Sequence, residues 1–325
     1  MFHVAAITVP ESGHAIQEFM LPFLRNQLIA QTVAMKKSLF IVLAFALFSW
    51  GCSTVGLFYR NADLYLQHKI DGYASFNDSQ EQAIRREISK YLDWHRKYAL
   101  PEYIIFLQNL NGAAQFDGQL KAERIALLRM QLLDLYRRSM EPAIRPAAEI
   151  LSSLDSRQIR ELGLNLAEEN NKQRREERDM GRDGYLDKRA DKTLDFLEGL
   201  TGKLSREQRQ KVRAMSRRLP LVTDIYIDQR ETNQRRMIIM LNENAGPDRV
   251  AAFISSWILT PDQTRTIQQQ HDIESFDTAS DEMIANIQGM LTARQKAHLN
   301  KELSDYIDEL RNLSAGKRTA GGIFR

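Results

Sequence analysis

The sequence predicts an all-α protein, a bundle of helices of unequal length behind a cleavable export signal. Three observations predict it. Apolar residues recur at helical spacing in nearly every window after Phe58, five short segments carry the letters of a helix start, and no run alternates apolar and polar residues between hairpin turns. Of the 325 residues, 43% are hydrophobic and 27% charged, which is enough apolar material to bury a core. Lys and Arg exceed Asp and Glu by only 45 to 42, so a net charge of +3 gives no basic surface suited to nucleic acid.

The first organised element begins at Met35. Lys36 and Lys37 precede an apolar run from Leu39 to Trp50, which ends in the small residue Gly51. Charged start, short apolar stretch and small residue at the end are the order of a secretory signal, so residues 35–51 are read as a signal peptide. The run has 12 residues where a spanning helix needs roughly 20, so cleavage is expected rather than a permanent span. Residues 1–34 hold only Glu11, Glu18 and Arg25 as charges, with Pro10 and Gly13 interrupting any helical pattern. They are read as a start assigned too early, or as a disordered extension.

Cys52 is the only cysteine and follows the apolar run directly. One sulfur excludes a disulfide framework, an iron–sulfur cluster and a Cys-based zinc site. Ser49, Trp50, Gly51 and Cys52 resemble the lipobox of bacterial lipoproteins, in which the cysteine becomes the lipidated first residue of the mature chain. The resemblance implies lipidation at Cys52, and Ser53 in the next position implies sorting to the outer membrane. An unlipidated free thiol behind a signal peptide is the alternative.

The remainder, residues 52–313, is expected to be one helical domain. Ile84, Ile88, Tyr91, Leu92, His95 and Tyr98 share one helical face, with Arg85, Arg86, Lys90 and Arg96 on the other. Ile125, Leu128, Leu132, Leu135 and Tyr136 repeat the pattern, as do Ile225, Arg236, Met237, Met240 and Leu241. The last helix carries Ala297, Leu299, Leu303, Tyr306, Ile307 and Leu310. Helix starts are predicted at Asn77, Asp155, Ser205, Thr260 and Thr292. Each places a capping side chain three residues before a Gln, the two halves of a capping box. Their unequal spacing rules out a solenoid period.

Breaks are expected where Pro or Gly intervenes: Leu100-Pro101, Asn111 to Gly118, Glu141-Pro142, Arg145-Pro146, Leu219-Pro220 and Ala245-Gly246-Pro247. Between Glu168 and Lys192 eight acidic and eight basic residues alternate, which predicts a solvated helix laced with pairs one turn apart and interrupted at Gly181 and Gly184. Residues 314–325 are expected to be a flexible tail.

Chemistry is sparsely signalled. His68, His95, His271 and His298 form neither a zinc-protease helix motif nor a di-iron ligand pair, and no nucleophile elbow or phosphate-binding glycine loop occurs. No metal or cofactor is expected. Asp93-Trp94-His95 is the one cluster of carboxylate, imidazole and indole, near Pro101. The aromatic Asn/Asp segment Tyr59 to Asp63, the helix running to Trp94-His95-Arg96, the Leu100-Pro101 step, Leu166 to Asn170 and the later Leu-Thr/Ser-x-x-Gln starts together resemble a family of uncharacterised bacterial lipoproteins, a domain of unknown function. That resemblance supplies no catalytic or binding residue.

The resulting expectation is a lipid-anchored, periplasm-facing envelope protein that binds or scaffolds, its partners the membrane through the anchor and an envelope protein. An envelope-modifying hydrolase using Asp93, His95 or Glu102 is the alternative. A carrier of peptide or lipid, its groove lined by Trp94, Trp257 and Met237 to Met240, is a third.

Overall fold

A computed structural model describes Tyr59 and residues 61–316. The early start, the signal peptide, Cys52 and almost all of the expected tail lie outside them. The described residues form helices and no strand, an all-α bundle as the periodicity requires. In chain order these are α1 (Ala62–Asp71), α2 (Asp78–Trp94), a π-helical turn (His95–Ala99), α3 (Leu100–Ala114), α4 (Ala122–Ser152) and α5 (Ser156–Thr201). There follow α6 (Arg206–Arg218), α7 (Thr223–Asn242), α8 (Pro247–Leu259), a 3₁₀ turn (Pro261–Thr264), α9 (Ile267–Met290) and α10 (Ala293–Ser314).

Four of the five expected caps are present. Asn77, Asp155, Ser205 and Thr292 each accept from the amide of the Gln three residues on, and that Gln reaches back to the cap amide. Thr260 is a correction. It ends α8, and its hydroxyl donates back to the Ser256 carbonyl at 3.2 Å instead of capping the next turn. The box that starts α9 belongs to Thr266 and Gln269.

The capping glutamines also bond across the bundle. Gln80 and Gln158 face each other: Gln80 Nε2 donates to Gln158 Oε1 at 3.2 Å, and Gln158 Nε2 donates to Gln80 Oε1 at 2.7 Å. Each also donates to a carbonyl two residues before the other's cap, Gln80 to Ser153 at 2.9 Å and Gln158 to Ser75 at 2.8 Å. Gln208 and Gln295 repeat the arrangement, with mutual bonds of 2.9 and 3.0 Å and donations to Met290 and Lys203. Two helix N-termini are thus locked head to head, twice, by amides whose donors and acceptors are all used.

Apolar packing accompanies these junctions. Beside the first, α4, α5, α7 and α8 bury Ala148, Leu162, Leu166, Met237 and Val250 in one cluster. Beside the second, Leu194, Leu204, Val212 and Ile287 join α5, α6 and α9. A further cluster sets Phe106 of α3 against Leu128 and Leu135 of α4. Leu132, expected on a buried face, is exposed, as is Arg236.

Several proline breaks do not occur. Pro142 and Pro146 lie inside α4, which continues through both, and α3 runs past Asn111 to Ala114. Leu219-Pro220 and Ala245-Gly246-Pro247 do separate helices, with Pro247 at the first position of α8, where its missing donor costs nothing. In α5 the break falls at Gly181, whose φ of +64° is the left-handed region that glycine enters freely, while Gly184 stays helical. The charged stretch pairs across helices where pairing along one was expected. Arg174 reaches Asp228 and Glu231 of α7, and Asp183, Asp187 and Asp191 meet Arg213 and Arg217 of α6. Arg129 of α4 binds Asp281 of α9 with two nitrogens and Asp277 at 2.7 Å, the Asp281 side chain being only 4% exposed.

Candidate functional site

The π turn is where the sequence cluster sits. Its defining bond runs from the Leu100 amide to the His95 carbonyl, five residues back. It lies directly ahead of Pro101, which has no N–H to donate and whose ring collides with the carbonyl four residues back in a regular helix. Widening the turn lets the helix pass the proline instead of ending there, which corrects the break expected at Leu100-Pro101. The inserted residue also rotates the remainder of the helix. Tyr98, expected on the buried face, is 52% exposed, and Ala99 and Leu100 take the inward positions.

His95 is enclosed by rings. Its Nδ1 lies 3.1 Å from the Tyr59 hydroxyl, and its ring is 5.8 Å from Tyr59, 5.8 Å from Tyr91 and 5.9 Å from Tyr103. Burial lowers its pKa, since the charged imidazolium loses hydration there. Burial likewise pushes Tyr59 up to about 12 and raises Tyr91 and Tyr103. The tyrosine hydroxyls are used structurally: Tyr91 donates to the Ser139 carbonyl at 3.1 Å, and Tyr103 to Ser139 Oγ at 3.0 Å, which in turn donates to the Tyr136 carbonyl.

Next to this cluster a cleft of about 290 Å³ opens between the π turn with α3 on one side and α4 on the other. Trp94, Tyr98 and Tyr103 supply aromatic wall, Leu135 and Pro142 apolar wall, and Glu102, Arg138, Ser139 and Glu141 the polar groups. Trp94 is fixed by Tyr91, stacked at 6.1 Å, and by Tyr98 at 6.2 Å.

The residues of the hydrolase alternative are divided rather than brought together. Asp93 is exposed and pairs with Arg96 at 3.1 Å, His95 is held by Tyr59, and Glu102 pairs with Arg138 at 3.1 Å. Of the expected groove lining, Trp94 does line the cleft, but Met237, Met240 and Trp257 belong to the α4–α5–α7–α8 core. Among the described residues no group of His, Cys, Asp and Glu is arranged to hold a metal ion, and no helix is long and apolar enough to cross a membrane. Sequence reasoning missed Glu141, Arg138 and Tyr103, which enter only because α3 and α4 pack side by side. Of these, only Tyr103 stands near Asp93-Trp94-His95 in the chain.

A model of a family of unknown function, DUF6279, matches residues 72–254, more than half of the chain. The chain belongs to that family, in keeping with the resemblance to an uncharacterised family. No curated protein and no solved structure matches it.

Proposed function

We propose that this DUF6279 member is a lipid-anchored cell-envelope protein, held through Cys52 at the periplasmic face of the outer membrane, whose helical domain acts as a binding and scaffolding module. One observation carries the reading: the only cysteine of the chain stands directly behind Lys36, Lys37, the Leu39–Trp50 run and Gly51. A diacylglycerol and a further acyl chain, at about 0.8 kcal/mol per buried CH₂, give attachment that does not readily reverse. Binding is favoured over catalysis because Asp93, His95 and Glu102 are each engaged by a different neighbour.

Fractionation of cells tests the anchor. Wild-type protein is expected in the membrane fraction after a high-salt wash, and Cys52→Ser is expected either free or as an uncleaved precursor. Processed Cys52→Ser protein that still resists high salt refutes the lipid anchor. The aromatic cleft favours a carrier as the second reading, and crosslinking in cells separates the two: a fixed protein neighbour supports scaffolding, a small ligand or peptide carriage.

A further inference from the structure

We propose that the cleft beside the π turn binds a primary alkylammonium group, with the Glu141 carboxylate as counter-ion and Trp94, Tyr98 and Tyr103 as its walls. The proposal rests on the binding-module reading and adds a ligand class to it.

Charge decides the sign of the ligand. Among the described residues Arg138 is the one cation lining the cleft, and two carboxylates already engage it, Glu102 at 3.1 Å and Asp134 at 3.3 Å. Glu141, on the same wall, has no ion-pair partner among the described residues. The cleft therefore carries an uncompensated negative charge against three aromatic faces, and both attract a cation. Lys97, which is not among the lining residues, holds its Nζ 5.1 Å over the Tyr98 ring and so occupies one face of it.

Hydrogen bonding narrows the ligand to a primary amine. Pro142 lines the cleft beside Glu141 and leaves the carboxylate as the acceptor on that wall. An –NH₃⁺ group has three N–H donors to offer the Glu141 carboxylate, whereas a quaternary ammonium has none. Rigid walls lower the cost of binding: Trp94 is stacked on Tyr91 and the Tyr103 hydroxyl is tied to Ser139. The volume of about 290 Å³ suits a lysine side chain or an ethanolamine head group, two sources of the same chemistry.

The test uses the full chain purified in neutral detergent, with Trp50→Phe and Trp257→Phe leaving Trp94 as the sole indole. Nα-acetyl-lysine methylamide and ethanolamine are titrated separately, with Nα,Nε-diacetyl-lysine methylamide as the neutral control. A saturable change in Trp94 fluorescence with either ammonium probe, absent with the control, is expected. The probe that binds identifies the source. Glu141→Gln, at an exposed position and with its fold checked by circular dichroism, should weaken binding about tenfold, and Tyr98→Leu should weaken it too. No saturation, equal response to the control, or unchanged affinity in Glu141→Gln overturns the proposal. Because the titration needs no membrane, its failure leaves the anchor at Cys52 standing, and a failed fractionation leaves the cleft.

Discussion

Replacing Gln158 by Ala is the sharpest test of how this bundle is held. The side chain is 2% exposed and makes four bonds. Oε1 accepts from the Asp155 amide at 2.9 Å and from Gln80, and Nε2 donates to the Ser75 carbonyl at 2.8 Å and to Gln80. Truncation leaves Gln80 its bonds to Asn77 and Ser153, but strips the Asp155 amide and the Ser75 carbonyl of these partners. Four hydrogen bonds are lost, the two between Gln80 and Gln158 buried and the two to backbone part-buried, and at about 0.5 to 1.5 kcal/mol each the variant should lose about 2 to 5 kcal/mol. At about 2 to 4 °C per kcal/mol for a domain of this size, the helical signal at 222 nm should melt about 5 to 15 °C lower. The double variant Gln80→Ala/Gln158→Ala should cost less than the sum of its singles by about 0.5 to 3 kcal/mol, because the first truncation already breaks the shared pair. Urea midpoints supply that cycle. A Gln158→Ala protein that melts with wild type, or a cycle that is strictly additive, would refute the claim that the amide pair is a cooperative joint.

Three further outcomes are expected from the same geometry. Thr266→Ala should cost about 0.5 to 2 kcal/mol in thermal melting, whereas Thr260→Ala, which removes only an exposed hydroxyl bonded back to Ser256, should stay within about 0.5 kcal/mol of wild type. Arg129→Leu should lower the urea midpoint by the equivalent of about 3 kcal/mol or more, since it abandons the buried Asp281 carboxylate. Burial lowers the His95 pKa in the folded state, so its contribution is fully present above the unfolded value of about 6.5 and is lost as pH falls through the folded value. His95→Gln should therefore melt with a flatter pH dependence below pH 6.5, and parallel curves for the two proteins would show that His95 is already hydrated.

The features legible in the sequence are those that local geometry decides. A cap and its Gln are three residues apart, so four boxes are legible, and so is the all-α class. The error at Thr260 comes from a pattern that also asks for a preceding Leu. Thr260 has Leu259 before it and is nonetheless committed to the helix behind it, while Thr266 has Arg265 before it and escapes the pattern. The cross-bonding of the same glutamines is not legible, because their partners lie 78 and 87 residues away and nothing in the letters distinguishes a Gln that turns only to its own cap from one that also reaches a neighbour.

The prolines explain why the cleft is invisible in the sequence as well. A proline removes one donor and crowds one carbonyl, and a reading of local penalties takes each such loss as the end of a helix. At Pro101 the chain absorbs it by adding a residue to the turn ahead, which swings Tyr98 outward beside Trp94. At Pro142 and Pro146 α4 continues with donors missing, and Pro142 forms part of the facing wall. Had the helix ended at Pro101, Trp94 and Tyr98 would not be carried on one continuous helix with Glu102 and Tyr103, whereas every α4 residue of the lining lies at or before Pro142. The aromatic and charged side chains themselves can be counted in the sequence. Their meeting in one cleft depends on the survival of a helix through Pro101, a residue type that usually stops one, with tertiary packing outweighing a local penalty of about 3 kcal/mol.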